Sequence, residues 1–351
     1  MRLGLSIWIV YWHTRGMVGV PWADRTLAIA NISHIALPMF FALSGFLVAS
    51  SLERTKYLPS FLTMRAMRIL PALAVEVILS ALVLGPIMTT YALSEYFTDG
   101  AFYRYFWNIV GYVHYDLPGV FKENHQTRVN GSLWTVPFEL ECYLALSFIF
   151  IVGIYRRTWA VAAFCLLAST WLAWRVGRSF SWETSPLPPG RLLIVYFIAG
   201  VLIFKIRDYL PGGITAAAIA LAVSLAMVQF DATTWFSPIP MAYATAAIGC
   251  TAPPRTPVIL DGDYSYGIYL YAYPIQQAWA QLLRSDSLAV NFLLSLATVA
   301  FFAAFSWHMI EKPILSKKDV ASNAIGRLFR IRFTRSPDAR SSPANAQHHR
   351  I

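Results

Sequence analysis

The chain predicts an all-α, polytopic integral membrane bundle, on three observations. Hydrophobic residues make up 57% of its 351 residues and charged ones only 13%, against about 25% charge in an ordinary soluble domain. Mean hydropathy is +0.52. Apolar runs of about 20 residues, enough to cross a bilayer as helix, recur along nearly the whole length. A β-barrel would instead show weak alternating segments of about ten residues. No loop much exceeds about 40 residues, so no separate soluble domain fits between spans.

Windows of about 20 residues place helices near 3–21, 33–52, 69–93, 132–154, 158–175, 190–206, 212–230, 236–252, 264–283 and 288–311, about ten in all. The first carries Arg2 and His13. The second starts beside His34, which reads as interfacial. Pro71 lies near the start of the third, where its fixed φ suits a first turn, and Glu76 lies well inside it. Phe102 to Tyr115 is too short and too rich in Tyr and Trp to span, and reads as an interfacial stretch. The fourth helix opens with Ser132-Leu133-Trp134-Thr135 and places Glu139 a turn or two inside. The eighth is short and flanked by proline. The ninth is dense in tyrosine from Tyr264 to Tyr273, and the tenth ends near His308 and Glu311. Cys142, Cys165 and Cys250 all fall in these windows without metal-ligand spacing, and read as small packing residues.

Positive charge sets the orientation. Arg54, Lys56, Arg65 and Arg68 lie between the second and third windows, Arg156 and Arg157 after the fourth, and Lys205 and Arg207 after the sixth. With ten spans these fall on one side together with the basic tail, which makes both termini cytoplasmic. Arg25, Arg104, Lys122, Arg128, Arg178 and Arg191 run against that bias. The net charge of +10 comes largely from the tail. Residues 316–351 form a basic segment, from about 320 onward rich in Arg, Ser, Pro, Asn and Gln, with little to bury, and are expected to be disordered. Such a tail anchors on anionic lipid and gives no reason to expect nucleic acid as a partner. Nothing resembling a signal-peptide cleavage site follows the first helix.

Five constellations could carry chemistry. Arg2 and His13 are eleven residues apart, so they share a helical face and stand about 16 Å apart. An ionisable group inside a membrane helix costs roughly 2.5–3.5 kcal/mol when charged, and imidazole is the side chain suited to moving protons near neutrality. The plainer reading of His13 is a hydrogen bond to a neighbouring helix. Arg15 points elsewhere and reads as an interface anchor. Arg65 and Arg68, three apart, could clamp phosphates at the cytoplasmic mouth of the third helix, or simply fix topology. Glu139 could orient an acceptor hydroxyl or an imidazole, or complement the helix dipole, as Glu141 would. Before it, Asp116 to Gly131 is polar, with Lys122, Glu123, His125 and Arg128, and could be a lid or acceptor platform. Glu76 calls for an intramembrane partner, and an arginine in the bundle is one choice. The tyrosines of the ninth helix could line a polar path or merely pack. No P-loop, dinucleotide fingerprint, Gly-x-Ser-x-Gly elbow or His-Glu-x-x-His motif occurs, which leaves a serine hydrolase or a metalloenzyme unsupported.

In this order, the blocks resemble the membrane-bound acyltransferase 3 family. Arg2 and His13 match its Arg-ten-residues-His motif, Phe40 to Leu47 its second-helix signature, and Arg65 with Arg68 its Arg-x-x-Arg pair. Asn130 to Thr135 with Glu139 and Tyr143 resembles the fourth-helix block; Tyr266 to Pro274 and then Glu311-Lys312-Pro313 close the pattern. The likeness spans about residues 2–315, so 1–315 reads as a membrane-embedded acyltransferase domain. Two departures stand out. The family's first helix normally starts several residues before the motif arginine, whereas here that arginine is residue 2. Ala272 stands where the family often has histidine, so the ninth helix is assigned no catalytic role.

The resemblance implies transfer of an acyl group, commonly acetyl, from a cytoplasmic coenzyme A thioester, a donor substrate rather than a resident cofactor. The acceptor it implies is a hydroxyl of a surface or exported carbohydrate or glycolipid, reached across the inner membrane of a bacterium. His13 would act as general base or as transient acyl carrier, with Glu139 approaching from the outer side. Arg65 and Arg68 would hold the coenzyme's phosphates, Arg2 would support donor or bundle, and Trp134 would belong to the substrate site. The rival from another class is a proton-coupled secondary transporter relaying protons through His13, Glu76 and Glu139, though no repeat symmetry between halves is visible.

Overall fold

A computed structural model describes residues 1–20, 35–55, 57–182, 185, 187–251, 262–318 and 320–321. Within them the chain is all-α, with no strand among the described residues beyond a single bridge between Thr89 and Val120. The major helices are α1 (Arg2–Met17), α2 (Ala36–Arg54), α3 (Leu58–Leu79), α4 (Val136–Ile151), α5 (Thr158–Val176), α6 (Gly190–Ile206), α7 (Ile214–Val228), α8 (Pro238–Cys250), α9 (Ser265–Leu283) and α10 (Leu288–Ser306). The windows read from sequence each correspond to one of them. Helical segments at Ala36–Arg54, Leu58–Met88, Gly131–Ile151, Thr158–Val176 and Leu288–Ser316 are long and apolar enough to cross a membrane by themselves. The first and eighth windows correspond to short helices, α1 of 16 residues and α8 of 13.

The start of α3 corrects the reading. Pro59 occupies its first turn after an extended Tyr57, and the helix begins at Leu58 instead of near 69. Arg65 and Arg68 therefore project from within α3, not from the loop before it, and Pro71 sits in the helix interior. After Leu79 the helix widens into a π turn, Ser80–Leu84, before a last α turn at Gly85–Met88. Cys142 and Cys165 are buried as expected, whereas Cys250 is exposed at the end of α8. The expectations for Arg25, His34, Lys56 and the tail beyond residue 321 lie outside the described residues.

Helix α6 is the hub. It is apolar on nearly every face, and burial from Leu192 to Phe204 is almost continuous, as a helix enclosed on all sides requires. It packs on α2, α4, α5 and α8. Two glycines set its crossing with α2: a Cβ at Gly45 would clash with the Phe197 carbonyl oxygen, and one at Gly200 with the Ala42 carbonyl oxygen. Small residues let membrane helices approach this closely, because packing rather than hydrophobic exclusion drives their association in lipid.

A second group forms from α1, α9 and α10. Helices α1 and α9 run side by side in the same direction, stitched by polar bonds. Ser6 Oγ donates to the Ser265 carbonyl (3.0 Å), and Gln276 Nε2 donates to the Val10 carbonyl (2.7 Å) and to Thr14 Oγ1 (2.6 Å). At the far end of α9, Asn124 Nδ2 donates to the carbonyl and side-chain oxygens of Gln277, while Gln277 Nε2 donates to the Gln126 and Arg128 carbonyls. The polar loop is thereby latched over that end. The aromatic stretch forms short turns, Gly100–Tyr105 and Phe106–Val110, with Phe102 and Tyr105 buried and Tyr103, Trp107 and Tyr112 exposed.

Candidate active site

At the N-terminal end of α9 four chain segments meet on charge. Asp263 Oδ2 accepts from Arg2 Nη1 (3.0 Å) and from Arg68 Nη2 (2.5 Å), while Arg68 Nη1 donates to Glu311 Oε2 (3.0 Å). Ser265 Oγ holds the other Asp263 oxygen, and Ser306 Oγ donates to Glu311 Oε1 (3.1 Å). Burial alone would raise the Asp263 carboxyl's pKa; the charges of Arg2 and Arg68 and two hydrogen bonds from Ser265 outweigh it and hold that pKa below the ordinary carboxylate value. Arg68 also lies over the rings of Tyr266 and Trp307. Its charge is thus already matched. Arg65, one turn away, donates to Ser51 Oγ (3.2 Å) and lies over Phe61, and its buried Nε has no hydrogen-bond partner.

Beside this cluster a cavity of about 60 Å³ is lined by Arg2, Phe40, Ser44, Glu139, Tyr266 and Tyr269 among others. Glu139 accepts from Tyr143 (2.8 Å), and both lie within electrostatic reach of Arg65. The structure therefore puts Glu139 on the Arg2 side of the bundle, in place of the outer approach expected of it. Glu139 is part of this cavity's wall and His13 is not. Trp134 packs edge-on against Phe138 and is absent from the cavity wall. Glu141 is exposed.

His13 sits further along α1, half-buried, with its ring 5.1 Å from the ring of Tyr273. Tyr266, Tyr269 and Tyr273 recur at helical spacing on α9 and so form one face, running from the arginine cluster to the imidazole. Tyr266 donates to the Ile69 carbonyl and Tyr269 to the Ser132 carbonyl, each at 3.0 Å, which fixes that face against α3 and the turn Gly131–Thr135 that leads into α4. The bonds from Gln276 pin the turn of α1 that carries His13.

Glu76 has a partner that sequence did not supply, and it is not an arginine. Asn130 Nδ2 (2.8 Å) and Ser80 Oγ (2.8 Å) both donate to Glu76 Oε1, and Asn130 also donates to the Leu270 carbonyl (3.0 Å). Asn130 thus ties the Asn130–Thr135 block to α3 through the buried carboxyl and to α9 through the Leu270 carbonyl. His308 pairs with Tyr264 at an exposed position, and Arg15 stacks on Trp12, as interface groups do. Sequence reasoning missed Asp263 and gave Glu311 no role. A signal existed: two arginines inside helices require carboxylates, and Asp263 is the acid nearest the start of α9. Among the described residues no group of three or more His, Cys, Asp or Glu could hold a metal ion.

The profile of the family described as "Acyltransferase domain", the acyltransferase 3 family, matches residues 1–309. The chain belongs to this family. Among its relatives, the acyltransferase is 26% identical over 324 residues to an "O-acetyl transferase" of Shigella phage Sf6, covering 90% of this chain and 95% of that one. It is 25% identical over 302 residues to "Nodulation protein 10" of Rhizobium leguminosarum bv. viciae, covering 79% and 81%. No solved structure matches it. The acyltransferase is a multi-pass membrane enzyme, as its apolar helices and family indicate.

Proposed function

We propose that this acyltransferase moves an acetyl group from a coenzyme A thioester, presented at the Arg2 end of the bundle, to a hydroxyl of a surface or exported carbohydrate. The observation that carries the reading is the tyrosine face of α9, which joins a cavity flanked by arginines at one end to a half-buried imidazole at the other. In the reaction the acceptor oxygen attacks the thioester carbonyl, the C–S bond breaks, and the acceptor's proton ends on the thiolate. His13 takes that proton from the hydroxyl and returns it to sulfur. Arg65, whose buried Nε is not spent on a neighbour, suits a phosphate oxygen. Arg68 and Arg2 hold the helices around the donor through Asp263. The side on which the donor enters is the cytoplasm of a bacterial inner membrane, in accord with the basic segments.

The test compares surface and exported glycans by mass spectrometry in cells with and without the gene, complemented by wild type or His13→Ala. One glycan should lose an acetyl-sized increment without the gene. His13→Ala should fail to restore it, its rate reduced by a factor on the order of 10²–10⁴, at unchanged membrane abundance. Full restoration by His13→Ala would remove the imidazole from the mechanism. Accumulation of glycan in vesicles without acyl donor would favour transport instead.

A further inference from the structure

A second cavity lies at the opposite end of α1 and α9 from the arginine cluster. It has a volume of about 260 Å³ and is walled by Met17, Glu123, His125, Gln281, Arg284 and Asp286 among others. We propose that this chamber is the acceptor subsite and binds one sugar unit of a polyhydroxylated chain, with the hydroxyl to be acylated directed toward His13. The inference rests on the acyltransferase reading above and adds where, and by what chemistry, the acceptor is held.

The lining fits a polyol. Carboxylates only accept and a guanidinium only donates, while an amide and an imidazole do both. A sugar hydroxyl is donor and acceptor at once, so a ring of hydroxyls is satisfied only by such a mixed wall. Met17 and Ala280 are the apolar contributors among the lining residues, which disfavours an acyl chain. The volume falls just under the roughly 300–1,000 Å³ of pockets for drug-sized ligands, which suits a single ring.

The position fits as well. Met17 lies four residues after His13, hence on the same face and about 6 Å further along the axis. Gln281 lies two turns past Tyr273, the ring that touches His13. The walls are tied to the helices that carry the reacting groups. The His125 ring rests against Gly19, a left-handed residue (φ +72°) at which a Cβ would stand 2.9 Å from the imidazole. Arg284 ends α9 in left-handed conformation (φ 46°), turning Ser285 and Asp286 back to the cavity. Glu123 and Arg284 meet across it at 3.4 Å. Exposed pairs of this kind are weak, so an incoming hydroxyl exchanges with that contact at little cost.

The experiment uses the full-length protein in proteoliposomes, with acetyl-CoA as donor and unacetylated surface glycan from cells lacking the gene as acceptor. Ala280→Trp fills the chamber; Glu123→Gln, at an exposed site, removes one charge and preserves shape. Both should raise KM for the glycan, at least tenfold for Ala280→Trp, with KM for acetyl-CoA within twofold of wild type. An unchanged glycan KM in both variants, beside normal wild-type transfer, would overturn the subsite alone. No acetyl transfer by wild type would overturn the proposed transfer from acetyl-CoA to glycan and the subsite with it.

Discussion

Asp263 is the residue on which the site's geometry turns, since one of its oxygens receives arginines from two different helices. Its carboxyl is held below the ordinary value of about 3.9, so the sign is fixed. The stabilisation is complete above about pH 4 and disappears as pH falls through the folded-state value. The melting temperature of Asp263→Asn should sit below wild type by a constant margin from pH 7 to 5, narrowing below about pH 4; a constant margin down to pH 3 would refute this. The two arginines of α3 should separate. Arg65→Ala is expected to raise KM for acetyl-CoA about tenfold, or about 1.4 kcal/mol, at near-normal stability. Arg68→Ala strands Glu311 and half of Asp263 and should lower the melting temperature first. Equal effects of the two on donor KM would return Arg65 to a purely structural role. At this scale sequence was partly informative. His13, Arg2 and the arginine pair were visible because ionisable groups in apolar runs are rare. Their partners were not, because Asp263 looks like any acid before a helix and Asn130 like any turn residue; pairing over such sequence distances belongs to the fold.

Among the elements, the α2–α6 crossing is the most constrained, with each helix offering a glycine to the other's backbone. Gly45→Ala pushes a methyl into a carbonyl that cannot retreat, and overpacking of this kind typically costs 1–3 kcal/mol. Gly4→Ala, with nothing within 4 Å of the added carbon, is the control. Thermal shift in detergent should show a drop of several degrees for the first and none for the second; equal behaviour would mean the crossing is looser than described. The helices themselves were legible from apolar run length, and the start of α3 was not. Window hydropathy is diluted by Arg65 and Arg68, so the run seemed to begin after them, while Pro59 in the first turn marks the true start. Pro71 drew the boundary inward because proline commonly opens helices, and here it is tolerated in the interior of one.

For the whole molecule, contacts of Arg2 and Glu311 through Asp263 and Arg68 put the start of α1 and the end of α10 at one end of the bundle, and the latched loop over α9 at the other. A membrane-impermeant maleimide should therefore label His125→Cys and Lys317→Cys from opposite faces of sealed vesicles, with the three native cysteines replaced. Labelling of both from one face would contradict the arrangement. The shared carboxylate also bears on biogenesis. Arg68 and Arg2 precede Asp263 by 195 and 261 residues. At roughly 5–20 residues per second of synthesis, Arg68 waits about 10–40 s for its counter-ion. A nascent chain arrested before Asp263 would leave both arginines without their shared counter-ion, which marks such fragments for membrane quality control rather than for partial function.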